Sequence, residues 1–385
     1  MSRPPASVRR ERAVLSGYFL GLGVVMAVWG ARMPAVQHAA QLSTARLSLV
    51  LLAAALGMVA GLTSGGRYVR PERLPALMVG GGAGLAGCLA VLGQCTTLAS
   101  LLLAAMVFGS THGILDVALN TAAVRCQDAY RRPIMASLHA AYSGGALGGA
   151  ALAAATARTP HSTLFLVTGL ALGATALVTA SRTRALSGTG RPSASFPHGG
   201  GQERSALSVA RLWLLGALAA AILLGEGAAA DWAAVHLHSL HATTAVSATA
   251  FALYSAAMMA GRLTGDKLTA AVGAPTVVRA GAMFSAAGLA TGASADSVPF
   301  ALAGWAVFGL GLSTTIPALI TAAGTGGPKA VATVSVTGYL GLLAGPALIG
   351  ALASTTSLPT ALLLPALLAA AVAALAHRAL ENTAP

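Results

Sequence analysis

His112, Asp116 and Asn120 are spaced four residues apart, which places all three on one face of a helix. Asp116 is enclosed by Ile114, Leu115, Val117 and Leu119. An ionisable side chain in so apolar a segment is costly and marks a functional position by default. Low dielectric disfavours the charged carboxylate, so taking up and releasing a proton is within its chemistry. The competing reading is a structural Asp bonded to an Asn or to backbone between helices. His139 opens the next apolar segment and returns, past a turn near Asp128, to about the depth of Asp116. A histidine titrates in the physiological range, so it is either a partner of Asp116 or a packing residue.

A second set of charges is Arg32, Glu226 and Asp231. Counted from one side, they stand at similar depth in the first and seventh apolar segments. They are expected to form a gate, with Arg32 paired to Glu226 or Asp231. Alternatively, Arg32 and Asp231 mark the lipid–water boundary. Glu226 sits deeper and joins Asp116, His112 and His139 as a proton-coupling candidate. Asn120, Trp29, Trp232, Tyr142 and Tyr254 are candidates for lining a solute cavity. The rings of Trp29, Trp232, Trp305 and Tyr254 suit stacking on a sugar or an aromatic solute, although Trp29 and Trp232 also suit an interfacial aromatic belt. His236, His238 and His241 fall in an expected loop without the carboxylate or Cys partners of a metal site. No metal and no cofactor is expected. Neither a Walker sequence nor a Ser–His–Asp or zinc-protease pattern is present, so an enzyme is not expected.

The elements that must hold these residues are membrane helices. The chain has 385 residues, 56% hydrophobic and 9% charged, against about 25% charged in soluble proteins. Apolar runs of roughly 20 residues, the length needed to cross a bilayer, recur throughout. They cover 13–35, 45–65, 75–94, 97–124, 134–157 and 162–181, then 208–236, 245–264, 273–294, 298–323, 329–353 and 357–377. A membrane β-barrel would show short alternating strands instead. The expected fold is therefore an all-α polytopic protein with twelve transmembrane helices. Residues 182–207, rich in Gly, Ser, Pro and Arg, read as a linker. It separates a bundle over 1–181 from another over 208–385. The opening MSRPPASVRRER reads as a cytoplasmic tail rather than a cleaved signal. Cys88, Cys95 and Cys126 form no CxxC pair and read as free thiols.

The net charge of +13 reports orientation rather than nucleic-acid binding. Twenty of the 23 basic residues fall on alternate connections, leaving Arg32, Arg46 and Arg158 on the other side. The positive-inside rule then expects both termini in the cytoplasm.

The halves repeat. Val107-Phe108-Gly109 recurs as Val307-Phe308-Gly309, and Met58-x-Ala60-Gly61 as Met258-x-Ala260-Gly261. Ala118-Leu119 recurs as Ala318-Leu319. Trp29 matches Trp232, and Tyr142 and Gly148 match Tyr339 and Gly345. Two six-helix bundles in the same orientation make a parallel repeat.

Gly261, Arg262, Gly265, Asp266 and Lys267, in GRLTGDK, resemble the conserved loop motif of the major facilitator superfamily. The first-half counterpart is GLTSGGR at 61–67, where Gly66 replaces the usual Asp. WGARMP at 29–34, DVALN at 116–120, RPIMASLHAAYSGGALGG at 132–149 and EGAAADW at 226–232 resemble the fucose-permease-related, YbjJ-type bacterial branch. The resemblance implies a secondary active transporter of the bacterial plasma membrane working by alternating access. It also implies that Asp116 takes the place of a helix-4 acid that carries protons. Its partners would be lipid, a small-molecule solute and protons, without nucleic acid, and it would act as a monomer. The expected job is proton-coupled uptake of a sugar-like or other small polar solute. Proton-driven efflux of a drug or metabolite is the second reading. The third is a non-transporting membrane sensor or scaffold.

Overall fold

The structure, a computed structural model, describes residues 4–184 and 207–381. Most of the expected linker, 185–206, lies outside the described residues. The described chain contains sixteen helices and no strand. The first half comprises α1 (Ala6–Ala31), α2 (Met33–Ala39), α3 (Thr44–Tyr68), α4 (Leu74–Leu92), α5 (Leu98–Tyr130), α6 (Met135–Ala155), α7 (His161–Val178) and α8 (Ala180–Arg184). The second comprises α9 (Val209–Ser239), α10 (Thr244–Val272), α11 (Ala274–Ala293), α12 (Val298–Leu312), α13 (Thr315–Gly324), α14 (Gly327–Thr355), α15 (Leu358–Ala361) and α16 (Leu363–Leu380).

Local sequence explains where these helices start and stop. Ser43, Ser208 and Thr243 cap α3, α9 and α10, each accepting from the N–H three residues on. Such caps satisfy donors that a helix start leaves free. Gly273, at φ 82°, separates α10 from α11 in a conformation costly for other residues. The segment expected as one span over 298–323 is two helices, α12 and α13. Pro317 lacks the N–H that would bond the Ser313 carbonyl four residues back, and the chain breaks at Ser313 and Thr314.

Three expected placements are corrected. The GRLTGDK stretch is not a loop, because α10 continues through it to Val272. No breaker precedes Gly273, and Gly265 stays helical where a Cβ would lie 2.6 Å from Thr314 and 2.9 Å from Ala136. Arg262 and Lys267 are therefore helical, and so is Arg67 in α3. His236 and His238 lie in the last turns of α9, not in a loop.

Ten helices, with α12 and α13 together counted as one and α15 with α16 as another, are long and apolar enough to cross a membrane. The remaining expected spans, α6 and α11, have 21 and 20 residues. They are long enough but rich in Gly, Ala and Ser, which dilutes their apolarity.

Contacts divide the chain into two units. The first holds Met1–Tyr130, Ala141–Ala206 and Gly327–Ala332; the second holds Arg131–Ala140, Leu207–Gly326 and Thr333–Pro385. Within the first, α3 packs on α5, α4 on α5 and α7, and α1 on α5 and α7. The second repeats the scheme, with α10 on α12, α11 on α12 and α16, and α9 on α12, α13 and α16. Glycines make the closest approaches. Gly145 and Gly149 of α6 lie against the Leu20 and Val24 carbonyls of α1, as Gly341 and Gly345 of α14 lie against those of Ala220 and Leu224 of α9. Without a hydrophobic force between helices in lipid, such close packing carries their association.

Candidate functional site

In the first unit, α5 carries His112, Asp116 and Asn120 at 4%, 8% and 3% exposure. The face expected from their spacing is thus buried inside protein rather than turned to lipid. Asn120 Nδ2 donates to the Asp116 backbone carbonyl at 3.0 Å. That bond runs along one helix turn and leaves the Asp116 carboxylate to other company. Asn120 Oδ1 is buried without a hydrogen-bond partner among the described residues. Trp29 of α1 packs on Phe108 of α5, ring centroids 4.8 Å apart.

The second unit holds a charged cluster. Arg262 Nη2 of α10 lies 3.7 Å from Glu226 Oε1 of α9, with the arginine side chain 8% and the glutamate 22% exposed. Arg262 Nε also donates to the Ser313 carbonyl at 3.4 Å. This is the carbonyl that Pro317 leaves without a helical donor, so the break before α13 supplies an acceptor for a buried guanidinium. His139 and Tyr254 both lie within electrostatic reach of Arg262. Tyr254, 3% exposed, stacks with Phe251 and packs on Phe308, both at 5.9 Å between centroids. Trp305 extends this aromatic cluster and donates from Nε1 to His236 Nδ1 at 3.3 Å. His236 is thus a buried packing partner of a tryptophan.

Two of the expected gate residues, Arg32 and Glu226, have other partners in this structure. Arg32 donates to the Thr156 and Ala157 carbonyls and to Thr156 Oγ1, at the end of α6. A cation there complements the negative end of the helix dipole. Glu226 has Arg262, and Asp231 is exposed. Trp232 Nε1 donates to the Pro346 carbonyl of α14 at 3.2 Å, so that ring braces two helices. Tyr142 of α6 is half-buried.

Asp266 has a role its sequence position did not disclose. Its two carboxylate oxygens accept from the backbone N–H groups of Ala136 and Ser137, at 2.9 and 3.1 Å. A residue 130 positions away thereby caps the start of α6. Arg262 and Asp266 are four residues apart on α10 and so lie on one face of it. At the equivalent Gly66, a Cβ would come 2.5 Å from that of Ala332, near the start of α14. The first repeat therefore keeps close packing where the second keeps a carboxylate. Asp266→Ala should destabilise the protein by about 1–2 kcal/mol, the usual worth of a cap. The unfolding midpoint in detergent measures it. An Ala variant as stable as wild type would remove the cap from the account.

Two units of apolar helices, holding a few buried charges, define an all-α polytopic membrane protein. No family model matches the chain. It is 33% identical over 374 residues to an MFS-type transporter of Yersinia pestis, covering 94% of both chains. It is 31% identical over 382 residues to a transporter of Sinorhizobium fredii, covering 95% of this chain and 97% of the other. The fold is shared with FucP in its outward conformation, at TM-score 0.75, 18% identity and coverage of 97% and 99%. It is shared also with the proton:xylose symporter XylE, at TM-score 0.72, 12% identity and coverage of 97% and 96%. The chain belongs to the major facilitator superfamily. It is a multi-pass membrane protein and a secondary transporter, not an enzyme.

Proposed function

We propose that the chain takes up a small polar solute together with protons across a bacterial plasma membrane, by alternating access and with both termini in the cytoplasm. The observation that carries this reading is Asp116, a buried carboxyl on an α5 face shared with His112 and Asn120. A charge held inside a membrane helix bundle is kept for function far more often than for stability. Asp116 is the proton carrier, and Asn120, with its buried unpartnered Oδ1, contributes hydrogen bonding to the solute. Glu226 and Arg262 form the charged centre of the second unit, with His139 beside it. Tyr254 supplies a ring within electrostatic reach of Glu226 and Arg262, and Trp29, Trp232 and Tyr142 are further candidates for ring contacts with the solute. Two proteins of the same fold are named as symporters of protons with fucose and with xylose, which favours a sugar-like solute.

Proteoliposomes carrying the full chain, with the outside made acidic, test this reading. A panel of labelled monosaccharides and related polyols should show one that accumulates inside and leaks out again on adding a protonophore. Accumulation driven only in the opposite direction would overturn uptake, and accumulation insensitive to the pH gradient would overturn proton coupling.

A further inference from the structure

The first unit contains a groove of about 780 Å³ between α1, α4 and α7, and every residue lining it belongs to that unit. Its floor is apolar: Leu22, Leu85 and Leu115 are buried. Its mouth is kept open by glycine. A Cβ at Gly17 would meet no heavy atom within 4 Å, and one at Gly21 would meet only Leu172, at 3.8 Å. One end is different. Arg10, near the start of α1, and Arg182, in α8, line it there, and both are exposed. Neither has an acidic partner among the described residues. Among the described residues, no acidic side chain lines the groove.

Dimensions and charge select the occupant. From Arg10 to Val25, the deepest lining residue of α1, the helix rises roughly 22 Å at about 1.5 Å per residue. That exceeds the depth of one leaflet, about 15 Å. A slot of this kind is cationic at the polar boundary and greasy for a leaflet's depth. It matches a molecule with an anionic head and a long hydrocarbon tail. A free anion would leave the apolar walls uncovered, and a neutral lipid would leave two arginines without counter-charge. We propose that this groove seats an acyl chain of an anionic phospholipid, its phosphate paired with Arg10 and Arg182. Basic pockets between membrane helices recognise such headgroups. The site depends only on the chain lying in a bilayer, not on the solute or the direction of transport.

Native mass spectrometry of the full chain in detergent tests the site, with phosphatidylglycerol or phosphatidylcholine added in turn. Wild type should retain phosphatidylglycerol preferentially. Arg10→Gln with Arg182→Gln should lower that retention by about thirtyfold, the factor expected for two arginines near an anionic headgroup. Gly17→Leu keeps both arginines and fills open space, and it should lower retention to a similar degree. Inorganic phosphate at millimolar concentration should displace nothing. Unchanged retention in the double Gln variant would overturn the proposal. Full retention in Gly17→Leu would overturn it too, since the arginines would then hold a headgroup without the groove. Displacement by phosphate would identify a small-anion site instead. Matching elution and thermal unfolding of all three proteins show that the variants are folded.

Discussion

Asp116→Asn is expected to abolish proton-driven accumulation while leaving solute exchange intact. The substitution keeps size and hydrogen-bonding capacity but removes the group that gains and loses a proton. At one proton per solute, each unit of pH difference supports about tenfold accumulation. The variant should fall from that level to simple equilibration. Counterflow, in which internal solute exchanges for labelled external solute, needs the cavity to change access but no net proton movement. It should survive. Asn120 Nδ2 bonds the Asp116 backbone carbonyl, a bond that the substitution leaves in place. Unaltered accumulation in Asp116→Asn would move the coupling elsewhere, with Glu226 the next residue to change. Loss of counterflow as well would make Asp116 part of the solute site or of the fold.

The Glu226–Arg262 pair should show the largest effect on stability. Arg262 is almost fully buried, and Glu226 nearly four-fifths so. Removing one member strands a charge away from water, which costs about 3–5 kcal/mol in buried pairs. Arg262→Ala should therefore unfold at markedly lower denaturant or temperature than wild type. Arg262→Gln combined with Glu226→Gln leaves two neutral polar groups and should recover much of the loss, because no charge is stranded. The double-mutant cycle in detergent measures the coupling directly. Additive effects of the two single changes would mean that the 3.7 Å approach carries no energy. The Ser313 carbonyl sharpens the expectation. Pro317 removes its helical donor, so Arg262→Ala also leaves this acceptor without the guanidinium that bonds it. Replacing Pro317 with Ala would return an N–H to that carbonyl and should lessen the cost of losing Arg262.

The fold was legible in the sequence to an unusual degree, because a bilayer permits few solutions. Backbone groups in hydrocarbon must be satisfied by a helix or a closed barrel, and continuous apolar runs of about 20 residues fit only the helix. The pairs at an offset of 200, such as Gly109 with Gly309, anticipated the repeated packing of α3 on α5 and of α10 on α12. Where apolarity was diluted, the same reasoning gave only length, as in α6 and α11. Helix limits were less legible. GRLTGDK reads as a loop through its resemblance to a family loop motif, yet α10 runs through it to Val272. The spacing of Arg262 and Asp266 was the signal available, since four residues apart on a helix is one face.

The residues that could do chemistry divide the same way. His112, Asp116 and Asn120 were found by their spacing along one chain segment, which is information the sequence contains outright. Their burial against protein, rather than lipid, came from packing. The partners of Arg262, Asp266 and Arg32 could not be read from sequence, since they lie 36, 130 and 124 positions away. Separation of that order is closed only by the folded chain. By itself, the sequence determined that the protein spans a membrane as two related helical halves and which charges it keeps there. Only the tertiary structure decided which of those charges are neutralised by each other, which by helix ends, and which line a groove with no acidic partner among the described residues. The physical reason is that hydrophobic patterning acts locally along each helix, whereas the cost of a buried charge depends on whatever the fold brings within a few ångströms of it.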